Sequence, residues 1–260
     1  QRVDTIVCVL AEKPSTEAPG NIGDLRLPAA QTALVKALSF GKPLVVILLT
    51  DRPRLVTEAD SYANATLFAS RPGPFGGQAI YEVLTGGCNP SGKLPFTYPR
   101  SPNSLLTYDH KLSEETANGA GEPGFHPLYE FGHGLSYTTF EYANLELAAD
   151  SLTEADTLEV SIDLTNTGQV DGSETVQVYV RDLYASITPP VKRLRAFRKI
   201  DLAAGATETV TFSIPVFDLA FAGSKNTFIL EPGGFEVRIG NQTATFEVTD
   251  NPGELPPLPE

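Results

Sequence analysis

The sequence predicts two fold classes in series: part of an α/β sandwich with a mostly parallel sheet, then an all-β sandwich. Three observations carry this. From residue 3 to about 98, short β-branched apolar runs alternate with helix-length amphipathic segments, as βα units do. From Asn144 onward apolar and polar residues alternate strictly, with period two. In that second stretch the turn signals Asn166-Thr167-Gly168, Ala204-Gly205 and Pro232-Gly233-Gly234 recur with no helical segment between them.

The first run, Val3–Leu10, reads as a buried strand. A helix follows: Pro28 suits a first turn, Leu34, Val35 and Leu38 recur at helical spacing, and Gly41-Lys42-Pro43 stops it. Pro43–Thr50 and Ala65–Ala69 are the next strands, a weaker helix covers Gln78 to Leu84 before Gly86-Gly87, and Lys93–Tyr98 reads as a fourth strand. The strands are apolar nearly throughout, so helices are expected on both sheet faces. A covered sheet more often has five or six strands, so the sheet is expected to lack its first ones and to expose an edge beside Val3–Leu10.

In the second stretch Leu158, Val160, Ile162 and Leu164 share a face, as do Val176, Val178 and Val180, then Val210, Phe212 and Ile214, then Phe235, Val237 and Ile239. About seven strands are expected. The resulting division is residues 1–140, 141–250, and a Pro-rich tail over 251–260 expected to be extended or disordered. Residues 99–140 form a long connection whose aromatics, Tyr129, Phe131, Tyr137 and Phe140, should pack on something.

Composition narrows function. The 260 residues are 41% hydrophobic and 20% charged, a globular profile, and no apolar run nears the roughly 18 residues of a membrane helix. A net charge of −13 repels nucleic acid and anionic membrane surfaces and leaves neutral substrates such as glucans. His110, His126 and His133 lack ligand spacing, Cys8 and Cys88 form neither a redox nor a metal motif, and so no metal and no cofactor is expected. Gly73, Gly76 and Gly77 miss the spacing of a phosphate-binding loop. Asn64-Ala65-Thr66 and Asn241-Gln242-Thr243 are formal glycosylation triplets. The chain starts at Gln1 and has no methionine, as a processed or cut chain would.

An ordered series of motifs then adds a family. Ala11-Glu12-Lys13-Pro14-Ser15-Thr16-Glu17-Ala18-Pro19-Gly20-Asn21, Leu27-Pro28 with Gln31, Lys42-Pro43, Arg52-Pro53, Arg71-Pro72-Gly73 with Gly76-Gly77, and Asn89-Pro90-Ser91-Gly92-Lys93-Leu94-Pro95 resemble the second domain of glycoside hydrolase family 3. Tyr129-Glu130-Phe131-Gly132-His133-Gly134-Leu135-Ser136-Tyr137 resembles the family's junction motif, and the β-rich remainder its fibronectin type III-like (immunoglobulin-like) domain. Three positions depart from the family pattern: Ser15 stands for an aromatic, Asn21 for aspartate, and Phe75 for the glutamate of Pro-Gly-x-Glu-Gly-Gly.

The resemblance implies a retaining β-glucosidase whose N-terminal (β/α)8 barrel supplies an aspartate nucleophile and whose second domain supplies a glutamate acid/base. Glu17 matches that acid/base by position, and it lies in a Pro-bounded loop at the C-terminal end of a parallel strand, where open α/β sheets place ligands. The chemistry asks for a closed, apolar setting that keeps the acid protonated. Glu12 is the runner-up and more naturally braces the loop through backbone hydrogen bonds. Arg52, Arg54 and Arg71 read as interdomain salt bridges before sugar ligands, and the Tyr129–Tyr137 aromatics as packing before a sugar platform. The implied partners are a β-glucoside or β-glucan oligosaccharide and the barrel; the chain alone is expected to be inactive, and its location periplasmic or secreted. The competing reading is a non-catalytic carbohydrate-binding or scaffolding module.

Overall fold

The structure, a computed structural model, describes residues 3–15, 17–102, 108–115, 117–118, 122–249 and 254–257. The chain divides into two units, one of Gln1–Cys88, Leu94–Thr107 and His126–His133, the other of Asn89–Lys93, Tyr108–Phe125 and Gly134–Glu260.

In the first unit the elements run β1 (Ile6–Ala11), α1 (Ala29–Leu38), β2 (Leu44–Leu49), α2 (Thr57–Tyr62), β3 (Ala65–Phe68) and α3 (Gly76–Thr85). The strands pair in that order and all in parallel, Ile6 opposite Leu44 and Val45 opposite Ala65. Parallel neighbours need a crossover, and α1 and α2 sit in the two crossovers. Pro28 precedes α1 with φ −51°, and Gly41, at φ 84°, lets the chain turn back into β2. The six residues of α2 are too few to show helical periodicity in sequence, but Glu58 and Asp60 suit the positive end of its dipole. Gly76 opens α3 against Pro72, whose Cγ would lie 2.4 Å from any added Cβ.

One sheet face is the core: Cys8, Leu10, Val46 and Leu48 pack with Leu27, Val35, Val56, Ala59 and Tyr98. The other face departs from expectation. Although β1 is apolar along its length, only alternate residues are buried, and Val7 and Val9 are 47% and 52% exposed. Only one face of β1 is therefore covered, whereas Ile47 of β2 is buried on the far side.

Lys93–Tyr98 is not a fourth parallel strand. Pro95 and Pro99 carry no amide hydrogen and cannot extend a ladder. Instead Tyr98 makes an isolated antiparallel bridge with Tyr129, and the Leu94 amide donates to the His133 carbonyl at 2.8 Å. Phe96 and Tyr98 then pack edge-on to Phe68, with ring centroids 5.7 and 5.9 Å away. Tyr129 packs on Tyr98 and stacks on His133, and its hydroxyl donates to Asp60 Oδ1 at 2.8 Å.

The second unit holds α4 (Leu112–Glu115), a small ribbon of β4 (Ala117–Asn118) and β5 (Glu122–Pro123), and the strands β6 (Phe140–Leu147), β7 (Ser151–Leu152), β8 (Thr157–Asn166), β9 (Gly172–Asp182), β10 (Arg193–Leu202), β11 (Thr207–Pro215), β12 (Phe221–Ala222), β13 (Thr227–Ile229), β14 (Gly233–Ile239), β15 (Gln242–Val248) and β16 (Glu254–Pro257). Two sheets form the sandwich, ordered β10-β9-β14-β15-β7 and β11-β8-β6; β12, β13 and β16 form a third, small sheet. The alternating residues read from sequence are its core: Leu158, Ile162, Leu164, Val176, Val178, Val210, Val237 and Ile239 are fully buried. Two strands were less legible. β10 is a charged edge strand, with Arg193, Arg195, Arg198 and Lys199, which resists edge pairing. β6 starts at Phe140 and breaks its alternation at Asn144, at φ 55°, where the register with β8 shifts. Apart from β16, the tail beyond Thr249 lies outside the described residues.

Asn166 shows how a turn residue becomes a core polar hub. Fully buried, it donates to the Val170 and Leu202 carbonyls at 2.9 and 3.1 Å and accepts from Thr138 Oγ1 at 2.6 Å and the Gly168 amide at 3.1 Å. The Asn-Pro-Ser-Gly-Lys segment enters this unit too. Asn89 Oδ1 accepts from Ser136 and from the Tyr137 amide, and Lys93 pairs with Glu174 at 3.0 Å.

Two outcomes follow for stability. Leu158→Ala should lower the free energy of urea unfolding by about 2–5 kcal/mol, since the site is fully buried and cannot collapse freely. Burial, with Glu231 nearby, pushes the Asp182 carboxyl up to about 6, despite its hydrogen bond from the Tyr184 amide. Between about pH 4 and about pH 6 the folded state then holds a proton the unfolded state has lost, so stability falls as pH rises through that window. Asp182→Asn keeps the amide acceptor and should flatten that decline, raising the melting temperature relative to wild type at pH 7 but not at pH 4, as read by circular dichroism.

Candidate active site

The candidate site is built from the loops that follow the three parallel strands. β1 ends at Ala11, and the next residue, Glu12, has its amide donating to the Leu49 carbonyl at 3.2 Å, so its side chain projects beside the end of β2. There its carboxylate accepts from the Asp51 amide at 2.6 Å and from Arg54 Nη1 at 3.0 Å, with Arg52 Nε at 3.6 Å. The Glu12 and Arg54 side chains are only 9% and 8% exposed, so each charge is held by the other. Both Glu12 oxygens are engaged, which is the arrangement of a brace and leaves neither free for a leaving group.

The two arginines then pin the long loop after β1. Arg52 Nη1 donates to the Gly20 carbonyl at 2.8 Å, Arg54 Nη2 to the Arg26 carbonyl, and the Leu55 amide to the Leu25 carbonyl at 2.9 Å. Gln31, one turn into α1, fixes the loop's start: its amide donates to the Ala11 carbonyl at 2.8 Å and accepts from the Ala11 amide at 3.0 Å, as a neighbouring strand would. Arg71, after β3, pairs with Asp51, after β2, and donates to the Ser15 carbonyl at 2.6 Å. One guanidinium thus joins the loops of all three strands. Arg52, Arg54 and Arg71, expected to bridge domains, all find partners inside this unit, because each follows a strand end where carbonyls and Glu12 or Asp51 converge. Asp51 was not singled out in sequence; its position directly after a parallel strand was the available signal.

Glu17 sits at the tip of the pinned loop, between Pro14 and a 3-10 turn at Ala18–Gly20. Thr16 lies outside the described residues. The backbone of Glu17 has φ 53° and ψ −144°, a region that costs a residue with a Cβ about 1–3 kcal/mol and that concentrates at functional sites. Its carbonyl accepts from the Gly20 amide at 2.8 Å, which closes the turn. The side chain is exposed, so the apolar, closed setting expected for an acid is not formed around it by this chain. Asn21 is exposed as well, and Phe75, at the start of α3, is 77% exposed and makes no packed wall.

Among the described residues no group of three or more His, Cys, Asp and Glu could hold a metal ion. Cys8 and Cys88 form no disulfide among the described residues, and burial pushes the Cys8 thiol up. His110 lies against the Phe125 ring at 3.6 Å and within 3.0 Å of Glu115, a packing role.

Removing the brace has a definite expected cost. Glu12→Ala leaves the buried Arg54 charge without its partner and should destabilise the first unit by about 3–5 kcal/mol, with faster proteolytic cleavage in the 12–27 loop at native temperature.

With this geometry in view, the relatives fall into place. Residues 1–137 match the model of the glycosyl hydrolase family 3 C-terminal domain, and residues 174–243 that of a fibronectin type III-like domain. A lysosomal β-glucosidase of Dictyostelium discoideum is 38% identical over 93% of this chain and 30% of its own length; a periplasmic β-glucosidase of Salmonella typhimurium is 35% identical over 94% and 34%. Among solved structures, a mutant β-glucosidase from Listeria innocua in complex with laminaribiose superposes with a TM-score of 0.88 at 33% identity, over 95% of this chain and 36% of that one. The chain spans about a third of the length of these relatives. It belongs to glycoside hydrolase family 3, corresponding to that family's C-terminal domain joined to a fibronectin type III-like domain.

Proposed function

We propose that this chain supplies the general acid/base, Glu17, of a retaining β-glucosidase whose aspartate nucleophile comes from an N-terminal (β/α)8 barrel, and that by itself it is inactive. The observation that carries this is the strained, three-point-pinned loop that presents an exposed Glu17 at the C-terminal ends of the parallel strands. Residues 1–140 hold that machinery and 141–250 support it. Several relatives named β-glucosidase, and solved relatives in complex with glucose or laminaribiose, support a β-glucoside or β-glucan oligosaccharide as substrate.

In the first step the Glu17 carboxylic acid donates its proton to the glycosidic oxygen while the barrel aspartate attacks the anomeric carbon; the C–O bond breaks and the alcohol leaves. In the second, the Glu17 carboxylate takes a proton from water as that water attacks the same carbon, releasing glucose and the free aspartate. The two carboxyl groups must stand about 5 Å apart for this outcome. An exposed Glu17 suits that need, because docking of a second domain then both desolvates the acid and brings the nucleophile. The chain is proposed to act in the periplasm or after secretion; among the described residues no helix is long and apolar enough to cross a membrane.

The test is reconstitution. The 260-residue chain should not hydrolyse a β-glucoside, and addition of the barrel-bearing part should restore turnover. In the reconstituted enzyme Glu17→Ala should slow hydrolysis of a poorly activated glucoside by about 10²–10⁴-fold, with azide restoring part of the rate. Turnover by the purified chain alone, or full activity of Glu17→Ala, refutes the proposal; glucan affinity without turnover, even with the barrel present, favours the non-catalytic module. Arg71→Ala should lower kcat on the order of 10²-fold by releasing the Ser15 carbonyl, with Arg71→Lys recovering part of it, whereas a bystander would leave kcat unchanged.

A further inference from the structure

The second unit contains a cavity of about 250 Å³ with no role in the chemistry above. It lies among the end of β9, the 185–190 loop, the start of β10 and the small β12–β13 sheet. In a chain of net charge −13, its wall carries Lys111, Arg181, Arg193 and Arg195 against a single carboxylate, Asp182. The rest is largely apolar, with Phe221, Phe228, Pro189 and Pro190 among it.

The cations are not equally engaged. Arg193 is held in a bidentate pair by Asp109, at 2.9 Å for both contacts. Arg195 stands where the register between β10 and β9 shifts, a bulge of the kind that re-aims side chains at sites. Its terminal nitrogens donate to the Asp218 and Leu219 carbonyls at 2.7 and 3.4 Å, and its Nε is buried with no partner among the described residues. Among the described residues Arg181 Nε is also buried without a partner, and Glu236, its cross-strand neighbour, is paired with Arg238 at 2.8 Å. Burial, and then the nearby Arg193, draws the Arg195 pKa down, the mark of positive charge crowded into a poorly hydrated place. An anion entering the cavity would meet this concentration of positive charge and accept charge-assisted hydrogen bonds from it.

We infer that this cavity binds a one-ring organic carboxylate, the acid group set against Arg181 and Arg195 and the ring against the phenylalanine and proline wall. The volume lies just below the roughly 300–1,000 Å³ of pockets for drug-sized ligands, which fits one ring. A bare inorganic anion would leave the apolar wall wet, and a neutral sugar would leave the guanidinium groups unanswered. Two sources share this chemistry, an aromatic acid and a uronic acid.

Calorimetric titration of the 260-residue chain separates them. The probes are hydroxybenzoate and glucuronate, their uncharged counterparts hydroxybenzyl alcohol and glucose, and inorganic phosphate. At least one acid should bind about tenfold or more tightly than its uncharged counterpart and than phosphate, and which one does identifies the source. Arg181→Gln, which removes a guanidinium whose Nε has no partner among the described residues, should weaken that binding about tenfold while the melting temperature stays put. The inference is overturned by no acid binding at about 10 mM, by equal binding of the uncharged compounds, by phosphate binding as tightly as the acids, or by an Arg181→Gln chain that binds as wild type does.

Discussion

A single buried carboxylate, that of Glu12, sets the geometry on which the catalytic proposal depends. It joins the end of β1 to the end of β2 through the Asp51 amide and gathers Arg54 and Arg52, which in turn hold the loop after β1 at Arg26 and Gly20. Burying a charge this way is tolerable only because its partner is equally buried and each carboxylate oxygen accepts a hydrogen bond. The consequence for chemistry is indirect. A loop fixed at its base and flank can hold its tip in a backbone conformation that a free loop would relax.

That tip holds Glu17, and its exposure fits a divided active site. In the proposed reaction an acid/base needs a dry surrounding only while substrate is bound, and a chain that supplied only the donor side would leave that donor open. The same incompleteness shows in the sheet, where Val7 and Val9 of the edge strand are half exposed while Ile47 beside them is buried. Edge strands with an open apolar face call for a covering partner. Both features, the exposed Glu17 and the half-exposed strand, suit the proposed docking of a second domain.

The second unit is of another kind. Its two sheets close on a continuous core in which alternate residues of the long strands are wholly buried, and Asn166 satisfies four backbone and side-chain groups where loops meet that core. Among its described residues a cationic cavity lies beside a bulged, charged edge strand, set in a strongly acidic protein.

Local pattern by itself determined the two fold classes, the three parallel strands, the helix before Leu44, and the core faces of the long strands, because burial with period two or 3.6 is written into neighbouring residues. The motif series likewise placed Glu17 on its loop. Tertiary structure alone decided which partners Glu12 braces, that Arg71 and Asp51 tie three loops together, that Lys93–Tyr98 pairs with the Tyr129 segment in place of the sheet, and that α2 exists at all. Those outcomes rest on partners far apart in the chain, 42 residues for Glu12 with Arg54 and 56 for Ser15 with Arg71. No local periodicity specifies which distant carbonyl or carboxylate an arginine will meet; only the folded sheet brings the strand ends together and makes the choice.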